Sequence, residues 1–243
     1  YTGQLADSVV ETMVHSYVPI GQVSRPWHYI EHKMLTYNEP LVYVYNNPKA
    51  RQTIISTYQN VPAMRTPVER SRFKIWANYF GGGMSSVLFQ DIREFRALAY
   101  SAQGRTWLTD LRLNPDSPCA FVTSLGTQSD KAMRALSVLD SIFTDMPLRP
   151  ANVDATRQQI INSVNNNYPS FRDIGSFVSR EQLYGYTEDP DKYLISSLPT
   201  MGMADVSAFY GHYIQKAPRV TIIVGNKANL NMSELSKLGR VIE

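Results

Sequence analysis

What is scarce in this chain narrows its chemistry before any motif is read. A single cysteine in 243 residues rules out an internal disulfide. Cys119 stands in an apolar run, Cys119-Ala120-Phe121-Val122, where a buried and inert thiol is expected. No apolar run approaches the ~20 residues that span a bilayer as a helix, and no signal peptide is recognisable. Charge of one sign is missing too. Lys and Arg number 24 against 21 Asp and Glu, spread without the basic stripe that nucleic acid requires. No internal repeat and no low-complexity segment is visible. The chain opens on Tyr1-Thr2-Gly3 rather than on methionine, so it reads as a piece excised or processed from something longer. Compartment is left open between cytoplasm and periplasm.

What is present suffices for a sizeable core. Hydrophobic residues make up 43% of the chain, enough for one large domain or two modest ones without covalent staples. Residues 4–17 place Leu5, Val9, Val10, Met13 and Val14 at helical spacing. Residues 18–39, with two prolines and two histidines, read as a linker. Leu41-Val42-Tyr43-Val44-Tyr45 is a strand ended by Asn46-Asn47-Pro48, and residues 52–59 form a second. The short connection predicts that these two pair as a hairpin. Thr66-Pro67-x-Glu69 starts a helix, with Thr66 as cap, which ends at Gly81-Gly82-Gly83. Ser85 or Ser86 caps the next helix, whose apolar face is Val87, Leu88, Ile92 and Phe95. Strands are expected over 98–108 and 118–127, and an amphipathic helix over 130–143. Residues 151–217 read as helical pieces punctuated by Pro169, Pro190 and Pro199. A buried strand over 219–224 and a short helix with a last strand over 230–243 complete the chain. This rhythm predicts an α+β fold, a mostly antiparallel sheet covered by helices, to which the strand after the helical run returns.

The loudest local pattern is His28-Tyr29-Ile30-Glu31-His32. Two histidines four residues apart with a glutamate between them match an inverted zinc-peptidase motif. Catalytic zinc needs a third protein ligand, which in that motif is a glutamate several tens of residues further on. No glutamate occurs from Phe95 to Arg180, and the stretch falls in the segment read as linker. His28, Glu31 and His32 are therefore a decoy candidate.

A longer pattern is more specific. Residues 78–101 read Asn-Tyr-Phe-Gly-Gly-Gly-Met-Ser-Ser-Val-Leu-Phe-Gln-Asp-Ile-Arg-Glu-Phe-Arg-Ala-Leu-Ala-Tyr-Ser. The glycine run, the Met-Ser-Ser cap, the Leu-Phe-Gln-x-Ile-Arg-Glu helix and the Leu-Ala-Tyr strand start resemble the second domain of pitrilysin/insulinase-type (inverzincin) zinc metallopeptidases. That group includes the mitochondrial processing peptidase. The resemblance implies a mitochondrial-processing-peptidase-like metallohydrolase domain over residues 40–243, the substrate-binding C-terminal domain. Residues 1–39 would then be the end of the preceding domain and a linker.

In such enzymes two similar halves close around an extended peptide. One half carries zinc, and the other supplies an Arg and a Tyr seven residues apart. Arg93 and Tyr100 match that pair in type and spacing. The resemblance thus implies no cofactor in this fragment and zinc in the complete enzyme. Its implied partners are a zinc-bearing N-terminal domain or partner subunit and a peptide substrate. The fragment alone should not cut peptides. Gly81 to Gly83, Ser85 and Ser86 are expected to be structural. Two departures stand out: Val87 where the family usually has Arg, and Ala97 where it usually has Gly. These leave open an inactive structural relative, like the core subunits of respiratory complexes. A self-contained zinc enzyme built on His28, Glu31 and His32 ranks third.

Overall fold

In the computed structural model, which describes residues 3–17, 34–109 and 115–243, the β-branched runs join one six-stranded sheet. Its strands are β1 (Leu41–Asn46), β2 (Gln52–Val61), β3 (Ser101–Trp107), β4 (Cys119–Gln128), β5 (Arg219–Gly225) and β6 (Arg240–Ile242). The order across the sheet is β3-β4-β2-β5-β1-β6. The three pairs on the β3 side of β5, namely β3/β4, β4/β2 and β2/β5, are antiparallel, whereas β1 pairs in parallel with both β5 and β6. The expected α+β sheet, mostly antiparallel, is therefore present, and β5 does return to it after the helical run.

The expected β1/β2 hairpin is not formed. β5 lies between the two strands, and its Ile223 aligns with Val44 on one side and Ile55 on the other. All three side chains are buried, so a strand as apolar as β5 gains most in the middle of the sheet. The β1–β2 connection is fastened to the end of β5. Asn47 N–H donates to the Gly225 carbonyl at 2.8 Å, and Lys227 N–H to Asn46 Oδ1 at 3.0 Å.

The helices are α1 (Asp7–Tyr17), α2 (Pro67–Gly81), α3 (Ala132–Thr144), α4 (Pro150–Asn166), α5 (Ile174–Leu183), α6 (Pro190–Ser197), α7 (Met203–Phe209) and α8 (Met232–Leu238). α2 begins as the sequence predicts. Thr66 Oγ1 accepts from Glu69 N–H at 3.2 Å, and Glu69 Oε2 accepts from Thr66 N–H at 2.8 Å. That backbone hydrogen bond from Thr66 is the main cause holding the Glu69 carboxyl below its ordinary range. From this start α2 lays an aromatic stripe over the sheet. Trp76 meets Phe121 at a ring-centroid distance of 4.6 Å, Phe80 meets Phe143 at 4.8 Å, and Phe73 meets Phe209 at 5.3 Å. These separations are those of favourable aromatic pairs.

The end of α2 comes so close to β3 that side chains are excluded. A Cβ on Gly81 would lie 2.6 Å from Gly104 N, and one on Gly104 would lie 2.5 Å from Phe121 Cζ. Gly83 adopts φ 145°, a conformation open to glycine and costly for other residues. The glycine run is thus structural, as expected. Cys119 is buried and free, as expected.

Candidate functional site

After the glycines the chain enters a short helix whose cap is Ser86. Its Oγ donates to the Gly83 carbonyl at 2.6 Å and accepts from Phe89 N–H at 3.4 Å. The helix widens into a π-helical segment, Phe89–Glu94. Phe95 N–H bonds to the Gln90 carbonyl at 2.8 Å, and Leu98 N–H to the Ile92 carbonyl at 2.9 Å. Widened turns of this kind shift side chains around the helix axis and are frequent at functional sites. Here the shift corrects one expectation. Val87, Leu88 and Ile92 are fully buried, but Phe95 is 64% exposed because the wider turn carries it off the apolar face.

The segment is closed by Ala97 at φ 48°, the one non-glycine residue with positive φ among those described. The chain reverses there and enters the sheet. Thr127 Oγ1 holds the Leu98 carbonyl at 2.6 Å, and Tyr100 N–H donates to the Gly126 carbonyl at 2.8 Å.

This reversal brings the two candidate residues together. The Arg93 guanidinium carbon lies 5.8 Å from the centre of the Tyr100 ring and 4.7 Å from that of Phe89, both within cation–π range. Its Nε is 3.6 Å from Glu94 Oε1. Tyr100 is 82% exposed. Both line a shallow hollow of about 340 Å³ at one end of β2 and β4, where Gln52, Gln128 and Lys131 also converge. With Arg93 and Lys131 on its walls, the hollow favours groups rich in oxygen.

Sequence reading missed what supports this corner from below. Asp91, one step around the helix from Ile92, is 4% exposed. Arg149 Nη2 donates to both of its oxygens, at 2.8 and 3.0 Å, and Arg96 Nη1 to one at 3.3 Å. The available signal was an acid inside an apolar stripe, Val87-Leu88-x-x-Asp91-Ile92. Such an acid is rarely buried without a partner, but nothing local named Arg149. His28, Glu31 and His32 lie outside the described residues. Among the described residues no group of three or more His, Cys, Asp or Glu could hold a metal ion, and no helix is long and apolar enough to cross a membrane.

A family model described as the peptidase M16 inactive domain matches residues 20–160. The chain belongs to that family, and the resemblance carried by residues 78–101 holds at that level. No curated protein matches the sequence. Among solved structures, a peptidase M16 inactive domain from Pseudomonas fluorescens is similar at a TM-score of 0.67 and 16% identity, over 91% of this chain and 52% of that one. A protease from Helicobacter pylori is similar at 0.66 and 12% identity, over 90% of this chain and 53% of that one. A chain of complex III2 from Candida albicans is similar at 0.66 and 11% identity, over 99% of this chain and 57% of that one. At these identities the likeness establishes a shared fold. The chain spans about half the length of these three structures.

Proposed function

We propose that this chain is the non-catalytic half of a zinc metallopeptidase of the pitrilysin/insulinase type. Residues 40–243 are the domain that closes over an extended peptide, and residues 1–39 are the end of the preceding domain and its linker. The observation that carries this reading is the approach of Arg93 to Tyr100, 5.8 Å from guanidinium carbon to ring centre, on an exposed rim of an inactive peptidase domain.

The Arg93 fork donates to backbone carbonyls of the bound peptide and fixes their direction. The Tyr100 phenol donates to the carbonyl oxygen as it gains negative charge, where one such donor contributes about 2.7–4 kcal/mol. Zinc bound by the other half supplies carbonyl polarisation and an activated water. Among the described residues no group of three or more His, Cys, Asp or Glu could hold the ion, and His28, Glu31 and His32 lie outside them.

The test is peptide affinity. A fluorescently labelled extended peptide is titrated with the chain joined to its zinc-bearing half, and Arg93→Ala weakens binding by about ten-fold, the loss of one charge-assisted hydrogen bond. Unchanged affinity would sink the proposal. The second reading is an inactive relative that serves as a core or partner subunit. The strained Ala97, at φ 48°, and the fully buried Val87 favour it, as does the likeness to a chain of complex III2. Peptide binding that depends on Arg93 excludes this second reading.

A further inference from the structure

A second hollow, with no lining residue in common with the one beside Arg93 and Tyr100, lies between α2, the end of β3, α5 and α6. Its volume is about 400 Å³, within the range of small-molecule sites. Phe73, Trp107, Phe177 and Leu194 give it an apolar wall. The charged residues are Arg70, Lys74, Arg180, Glu181 and Asp191, three cations against two carboxylates, which leaves one positive charge.

That remaining charge is Arg70. Lys74 Nζ is paired with Asp191 at 3.2 Å, and Arg180 Nε with Glu181 at 3.1 Å. Arg70 is 6% exposed, and no carboxylate of the described residues pairs with it. Its Nε donates to the Met64 carbonyl at 2.7 Å and its Nη2 to the Thr109 carbonyl at 3.2 Å, while Nη1 is buried without a hydrogen-bond partner. The Tyr186 ring covers the guanidinium, with its centre 4.9 Å from Cζ. Neutral carbonyls and a ring face orient the group but do not cancel its charge. A buried, uncompensated guanidinium attracts an anion far more strongly than an exposed one does. Burial pushes the Tyr186 phenol above its ordinary range, against the pull of the Arg70 charge and of a side-chain hydrogen bond with Arg70, so the phenol keeps its proton beside the cation.

We propose that this hollow is a carboxylate site, in which Arg70 takes the anion and the aromatic wall holds an apolar body attached to it. A monoanion matches the single lining cation that no carboxylate of the described residues pairs. A phosphate dianion would carry a second charge towards Glu181 and Asp191. The way in is past α5, which buries none of its own residues and so has little packing to hold it against the domain. The ligand is an apolar carboxylic acid, free or as the C-terminus of a peptide.

The test is calorimetric titration of the full chain with N-acetylphenylalanine, with a short peptide ending in phenylalanine, and with the amide of each. Both acids bind, and each amide binds at least about ten-fold more weakly because it lacks the charge. Tighter binding of the peptide than of the single residue identifies a peptide C-terminus as the source, and equal binding identifies a free acid. Arg93→Ala leaves the titrations with N-acetylphenylalanine and its amide unchanged, and the peptide is compared with the single residue in that variant, which separates this site from the one proposed above. Arg70→Met abolishes the difference between acid and amide. If that variant loses cooperative melting, Trp107→Ala decides: at a 55% exposed position it spares the fold and weakens the acid by about five-fold through lost apolar contact. Equal binding of acid and amide, no binding of either, or binding unchanged in Arg70→Met and Trp107→Ala overturns the proposal.

Discussion

Asp91 and Arg149, 58 residues apart in sequence, are joined by one guanidinium nitrogen that donates to both carboxylate oxygens, at 2.8 and 3.0 Å. The acid is buried, and Arg149 keeps 31% of its side chain exposed. This pair ties the start of α4 to the π-helical segment that carries Arg93. Asp91→Asn is expected to destabilise the chain by about 2–4 kcal/mol, somewhat below the full cost of breaking a buried ion pair because Arg149 reaches solvent. Urea unfolding measures it. A double-mutant cycle with Arg149→Met should return a coupling of at least about 1 kcal/mol.

Ala97 holds a backbone conformation that disfavours any Cβ, at φ 48°. Ala97→Gly relieves a strain of about 1–2 kcal/mol, part of which is offset by the greater freedom of glycine in the unfolded chain. A net gain of up to about 1 kcal/mol is expected in the same unfolding experiment. Ala97→Val should lose stability, because a β-branched residue fits this region worse than alanine.

Gly104→Ala places a methyl 2.5 Å from Phe121 Cζ. The ring belongs to the aromatic stack under α2 and cannot withdraw, so a loss of about 1–3 kcal/mol is expected from overpacking. Gly175→Ala is the control, since a Cβ there meets nothing within 4 Å. It should be neutral or slightly stabilising in the thermal melt.

The α2 cap carries a pH dependence of definite sign. Glu69 ionises more readily in the folded chain than in the unfolded one, chiefly through the Thr66 N–H. Its contribution is therefore complete above the ordinary glutamate range, near pH 4.5, and is lost as pH falls through the lower folded value. Glu69→Gln should flatten this part of the acid stability profile and leave the alkaline side unchanged. Thr66→Ala should cost about 0.5–2 kcal/mol at neutral pH.

Much of this architecture could be read in the sequence because its causes are local. Thr66-Pro67-x-Glu69 is a helix start by hydrogen-bond chemistry alone, and the β-branched runs admit little besides strands. The family block over residues 78–101 placed Arg93 and Tyr100 in one corner, where the structure has them adjacent. What could not be read depends on distant residues. The place of β5 between β1 and β2 is a competition for the sheet centre among strands far apart in sequence. The π-helical widening that exposes Phe95 follows from closing the turn at Ala97 onto Thr127. The partner of Asp91 sits at the start of another helix, and that Arg70 is left without a carboxylate among the described residues emerges only once the pairs Lys74–Asp191 and Arg180–Glu181 are formed.

The central claim is that Arg93 and Tyr100 act on a peptide held against a zinc-bearing half. The most direct measurement is steady-state peptide hydrolysis by the complete enzyme, with Tyr100→Phe and Arg93→Ala compared with the parent. The account predicts that Tyr100→Phe lowers kcat by about 10²–10³-fold with little change in KM, the loss of a donor to a developing oxyanion. It predicts that Arg93→Ala raises KM. Hydrolysis unchanged in both variants, with zinc content and folding intact, would contradict it.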